Sequence, residues 1–177
     1  MIRETETLVR DLDGRTPSAT TAIRDLSGGQ RQGVAIARAT HGATNLVLMD
    51  EPTAALGVAE TARVEKTIEG LRARGRSILL ISHSLDQVFR LADRICVLRD
   101  GLVEQVGTPM ELYESPDSVF VAGFIGSPKM NFITGELAGK YGCQTVGIRG
   151  EHLEVAADGI WTGTVMHKEN LGADAYI

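Results

Sequence analysis

Apolar residues in this chain fall into short continuous runs and helically spaced sets. Residues 46–49 and 78–81 are unbroken apolar runs, too short for helices and without alternation, which predicts strands buried on both faces. Between them Val64, Ile68 and Leu71 recur at helical spacing, predicting an amphipathic helix over 58–74 that Gly75 closes. Strand, helix and strand in this order predict a βαβ unit with parallel strands. An alanine-rich stretch, 31–40, reads as a helix stopped by His41 and Gly42, and 85–94 as another. Residues 95–98 and 102–106 flank Arg99-Asp100-Gly101, whose Asp-Gly pair predicts a hairpin. Thr108-Pro109 starts a helix through Tyr113, with Thr as N-cap and Pro at the first position. A further helix is expected over 117–125. Past Ser127-Pro128-Lys129 the pattern changes to short apolar stretches at 131–134, 145–149, 152–155 and 162–165 separated by glycine, which predicts a small all-β unit. Residues 1–25 are polar and read as helical fragments around a loop at Pro17-Ser18.

Composition narrows the function classes. The 177 residues are 43% hydrophobic and 23% charged, a globular balance. A net charge of −5 argues against a nucleic-acid partner, which needs a basic face. Cys96 and Cys143 lie far apart at no metal spacing, and residues 1–11 lack the apolar core of a targeting segment. A reducing cytosolic compartment is expected. No apolar run approaches the roughly 18 residues of a membrane span, so any link to a membrane runs through a partner.

Three features carry candidate chemistry. Ser27 and Gln30 fit a capping box at a helix start that also contains Gly28 and Gly29. Glycines there let a ligand approach the backbone, and free N–H groups at a helix N-terminus attract an anion. An ordinary capped helix explains the same residues equally well. Asp50-Glu51 ends the first buried strand, at the edge where open α/β sheets bind ligands. Asp50 is suited to Mg²⁺ and Glu51 to positioning or deprotonating a water; a pair of solvated loop carboxylates is the plain alternative. His83 ends the second strand, where it can share an edge with Glu51 and bond a phosphate oxygen or a water. Taken alone it reads better as a surface loop histidine.

In order and context, these features resemble the ATP-binding-cassette ATPases. Leu26-Ser27-Gly28-Gly29-Gln30 is similar to the family's signature, and residues 46–51 to its Walker B strand. Ala54-Ala55-Leu56-Gly57 resembles its D-loop, and Ile81-Ser82-His83 its switch-histidine loop. The resemblance implies that Asp50 serves Mg²⁺, Glu51 the hydrolytic water and His83 the γ-phosphate of ATP. It also implies that Ser27, Gly28, Gly29 and Gln30 serve nucleotide held by an opposing subunit. The implied fold is α/β, the C-terminal part of a P-loop NTPase sheet with helices over 1–128. A partial all-β regulatory domain, resembling an oligonucleotide/oligosaccharide-binding barrel, follows over 129–177.

Residues 103–132 are similar to the tail of carbohydrate-importer ATPases of the maltose type, whereas 54–61 resemble the ribose and fructose group. The implied partners are membrane permease subunits and a second nucleotide-binding subunit, and the implied place is the cytoplasmic side of the inner (plasma) membrane. One part of the pattern is missing. No G-x-x-x-x-G-K-[ST] phosphate loop occurs. Gly135 to Tyr141 only approximates one, with short spacing and a tyrosine where the hydroxyl belongs. The chain therefore reads as truncated at both ends and inactive alone. The alternatives are a non-hydrolytic fragment or regulatory partner that lends only its signature, and a chromosome-maintenance or repair ATPase.

Overall fold

The computed structural model describes residues 18, 20–41 and 45–164, and the backbone of 169–170 and 175–176. Expectations for residues 1–17, Gly42 and Val165 lie outside this set. The chain divides into two compact units, Met1–Ser127 and Pro128–Ile177.

In the first unit, helix α1 (Gly28–Thr40) precedes strand β1 (Leu46–Asp50), helix α2 (Val58–Ala73) and strand β2 (Ser77–Ile81). β1 and β2 pair in parallel, Leu46 opposite Ser77 and Asp50 opposite Ile81, as a βαβ unit requires. α2 presents Val64, Ile68 and Leu71 at i, i+4 and i+7. They pack with Ile36 of α1, Val47 and Met49 of β1, and Leu91. Gly75 (φ 76°) turns the chain out of α2, its N–H bonding Arg72 C=O while Arg76 N–H bonds Leu71 C=O.

The strands differ from expectation in one respect. Only one face of β1 and β2 is covered, and the other leaves Leu48 67% and Leu79 57% exposed, with Leu46 and Ile81 beside them. Successive side chains alternate between faces, so the helices that bury Val47 and Met49 leave Leu46, Leu48 and Asp50 outward. No described element packs on that side. The carboxylates are consequently not buried: Asp50 is exposed and Glu51 half-buried.

Helix α3 (Leu85–Leu91) is shorter than the pattern suggests. Ala92 is already extended (ψ 134°), Asp93 pairs with Arg72 of α2, and strand β3 (Ile95–Arg99) must begin two residues later. β3 pairs antiparallel with β4 (Leu102–Gly107). Asp100 (φ 51°) and Gly101 (φ 80°) form the two-residue turn, the pair of left-handed residues that a tight hairpin demands. Helices α4 (Pro109–Glu114) and α5 (Val119–Phe124) follow, and Leu112, Val121 and Ile125 build a second core with Ile95 and Val97.

α4 is short enough for its cap to matter. Thr108 accepts from Glu111 N–H at 3.2 Å, and Thr108 N–H donates to the Glu111 carboxylate at 2.7 Å. That backbone bond first, and the Thr108 hydroxyl second, hold the Glu111 carboxyl below the usual carboxylate range; burial opposes them and Arg94 adds a lesser pull. A depressed folded value means the contribution is complete above the unfolded-state value and is lost as pH falls through the folded one. Exchange protection of the Glu111 and Leu112 amides should therefore be flat near neutrality and decline in acid. Glu111→Gln should remove the decline, and a step that survives this substitution would assign it to another group.

In the second unit, β5 (Asn131–Thr134) pairs antiparallel with β6 (Thr145–Ile148). A one-turn helix, α6 (Glu136–Gly139), joins them after the left-handed Gly135 (φ 73°). β7 (Glu169–Asn170) and β8 (Ala175–Tyr176) pair as well. Two expected strands are absent among the described residues. Residues 150–152 form a 3-10 turn whose Leu153 N–H bonds Gly150 C=O, and 162–164 are irregular. Glycines at 150, 159 and 163 supply no side chain to pack on a sheet.

Candidate functional site

The carboxyl ends of two neighbouring parallel strands deliver the central pair. Asp50 ends β1, and Glu51 follows with its N–H bonded to Ile81 C=O at 2.9 Å. His83 lies two residues beyond that same Ile81. Its Nδ1 reaches Glu51 Oε2 at 2.8 Å, with the imidazole open to solvent and the carboxylate 32% exposed. A carboxylate at this distance favours the proton on Nδ1, which donates to Glu51 and leaves Nε2 without it in the neutral ring. Glu51 is left-handed (φ 43°), a costly conformation for a side-chain-bearing residue. Pro52 disfavours the right-handed alternative for the residue before it. Ala54 N–H, which bonds Glu51 C=O at 3.0 Å, closes the turn.

A cleft of about 360 Å³ opens beside the pair, lined among others by Thr53, Glu65, Ser82 and Gln87. Thr53, Glu65 and Gln87 were not anticipated, and Ser82 was noted only as part of the His83 loop. One signal was available: Gln87 and Leu91 lie four apart on α3 and both are buried, so a polar residue occupies a core-facing position.

The glycine-marked helix start lies elsewhere in the unit. Ser27 Oγ accepts from Gln30 N–H at 3.3 Å, Gln30 Oε1 accepts from Ser27 N–H at 2.8 Å, and Arg31 Nη1 donates to Leu26 C=O at 2.6 Å. The two glycines approach α2 and the turn before it. A Cβ on Gly28 would sit 3.4 Å from Leu56, and one on Gly29 would sit 2.5 Å from Glu60 Cγ. A side chain at position 29 would therefore force the Glu60 side chain to shift, apart from any ligand. Gly29→Ala should cost about 1–3 kcal/mol through overpacking, read as a lower denaturant midpoint at unchanged m-value. A cost below about 0.5 kcal/mol, the ordinary surface range, would show that α1 and α2 are not so close in solution. None of Ser27, Gly28, Gly29 and Gln30 lines the cleft at Glu51 and His83.

The sequence resemblance implies Mg²⁺ at Asp50. No cluster of three His, Cys, Asp or Glu side chains among the described residues is arranged as a metal cage. Mg²⁺ does not need one, because it keeps waters and takes one or two carboxylates together with substrate phosphates. Asp50, exposed at a strand end beside Glu51, fits that role.

The comparisons with known proteins bear on the whole arrangement. An ABC transporter family model matches residues 3–54. The chain is 44% identical over 147 residues to the sn-glycerol-3-phosphate import ATP-binding protein UgpC of Rhizobium meliloti (strain 1021), covering 76% of this chain and 42% of that protein. It is 36% identical over 181 residues to the maltose/maltodextrin import ATP-binding protein MalK of Vibrio vulnificus (strain YJ016), covering 86% and 49%. The chain belongs to the ATP-binding-cassette transporter family. It spans less than half the length of these relatives. Among solved structures it resembles the dimeric bacterial ABC transporter cassette MJ0796 with a TM-score of 0.54 at 28% identity, over 60% of this chain and 46% of that one. It resembles the cassette MJ1267 with a TM-score of 0.59 at 25% identity, over 71% and 50%. These neighbours are cassettes of the P-loop NTPase type, in keeping with the α/β character of the first unit. No described helix is long and apolar enough to cross a membrane.

Proposed function

We propose that this chain is part of the ATP-binding and ATP-hydrolysing subunit of an ATP-binding-cassette importer for sugars or related small polyols. The observation that carries the reading is the Glu51–His83 pair, joined at 2.8 Å from the ends of two adjacent parallel strands. In this reading Glu51 orients and deprotonates the attacking water, while His83 Nε2 faces the γ-phosphate. The Nδ1 bond to Glu51 fixes both side chains, the positioning that phosphoryl transfer chiefly needs. Asp50 would hold Mg²⁺, which supplies charge neutralisation at the phosphates. Ser27, Gly28, Gly29 and Gln30 serve nucleotide held by a second cassette, and the dimeric MJ0796 cassette supports such pairing. The names of the relatives, which concern glycerol phosphate and maltodextrin import, support a cytoplasmic subunit docked on membrane permease subunits. Residues 129–177 are read as the start of a regulatory β domain.

A second reading follows from the sequence. It contains no G-x-x-x-x-G-K-[ST] loop, so β- and γ-phosphates are not cradled by this stretch of chain. It would then act only by lending its signature to an intact cassette. Two mixtures decide. Chain plus a polypeptide carrying the phosphate loop of a relative should hydrolyse ATP, while neither does alone; no turnover in this mixture sinks the hydrolytic reading. An intact cassette with a disabled signature serine, rescued by the chain but not by its Ser27→Ala form, supports the second reading instead.

A further inference from the structure

Gln87 is 1% exposed, yet both ends of its amide are bonded. Its Oε1 accepts from the Thr53 hydroxyl at 3.3 Å and the Ser82 hydroxyl at 3.0 Å, and its Nε2 donates to Glu65 at 3.3 Å. Glu65 also takes Arg90 Nη2 at 2.7 Å. Thr53 lies two residues after Glu51, and Ser82 immediately precedes His83. One amide oxygen thus ties together the two loops that carry the pair, and the amide nitrogen anchors that junction to α2. Stability alone gives little reason for a glutamine here, since an apolar side chain of similar volume fills such a site without needing polar partners. The left-handed backbone of Glu51 gives a reason. Such a conformation persists only when its surroundings over-determine it. The Ile81 carbonyl holds it on one side and the anchored Thr53 turn on the other.

We propose that Gln87 is a positioning residue that locks the Thr53 and Ser82 loops in the register bringing His83 Nδ1 onto Glu51. The proposal rests on the catalytic reading of that pair, and the test separates the two. Long-range ¹H–¹⁵N spectra of the full chain, taken with the imidazole neutral, distinguish Nδ1–H from Nε2–H on His83. The wild-type ring should be mainly Nδ1–H. Gln87→Met, close in volume but without the amide, should convert it mainly to Nε2–H. The exchange Glu65→Gln with Gln87→Glu reverses the donor and acceptor between α2 and α3 while leaving acceptors for Thr53 and Ser82, and should restore Nδ1–H. A merely structural glutamine would lower the unfolding midpoint and leave the tautomer in place. A folded Gln87→Met chain that keeps Nδ1–H overturns the proposal. Should that variant not fold, Nε2–H in the exchanged pair overturns it and Nδ1–H supports it. A wild-type ring in the Nε2–H form overturns the Glu51–His83 pairing itself.

Discussion

Glu51→Gln should lower ATP turnover by about 10²-fold or more in the mixture that supplies a phosphate loop, the usual scale for losing a positioned general base. The substitution is nearly isosteric. The amide that replaces the carboxylate keeps an oxygen that can accept from His83 Nδ1, so the loop geometry and nucleotide affinity should persist. The loss should therefore appear in kcat with KM little changed, the signature of an interaction made in the transition state. Steady-state phosphate release at saturating ATP reads it directly. Turnover equal to wild type would remove Glu51 from the chemistry.

Ile68→Ala should destabilise the first unit by about 2–5 kcal/mol. Ile68 is 4% exposed, between Val64 and Leu71 and against the inner faces of β1 and α1. The loss is a large part of the roughly 5–15 kcal/mol typical of a whole domain, and here the covered core lies on one side of the sheet only. The effect reaches the site, because α2 also carries Glu65, the partner of Gln87 and Arg90. Urea unfolding followed by circular dichroism measures it. A loss under about 1 kcal/mol would mean that the helix-to-strand packing is not formed in solution.

Local signals in the sequence were legible where one residue governs one element. Ser27 marks a capping box and Thr108 an N-cap, Asp100-Gly101 the hairpin, and Val64, Ile68 and Leu71 the buried stripe of α2. The Glu51–His83 pair was anticipated as a shared edge, since a βαβ crossover places the ends of both strands together. What escaped depends on neighbours that a linear pattern does not contain. Leu48 and Leu79 look like core residues by type, but burial requires an element on the far side of the sheet. Thr53, Glu65, Ser82 and Gln87 are ordinary polar residues until three segments converge on one amide. The 152–155 run has strand-like composition, yet a 3-10 turn at Gly150 claims its backbone bonds first. Gly29 shows the opposite case: a residue noted for ligand approach also lies where a Cβ would press on the Glu60 side chain.

The left-handed turn at Glu51 has a consequence for how such a residue is retained. Glycine would occupy this backbone position with no steric penalty, while a carboxylate-bearing side chain costs about 1–2 kcal/mol there. The fold alone therefore supplies no reason for a carboxylate at position 51; under the proposed catalytic reading, the strain at this turn is carried for the sake of the water that Glu51 orients.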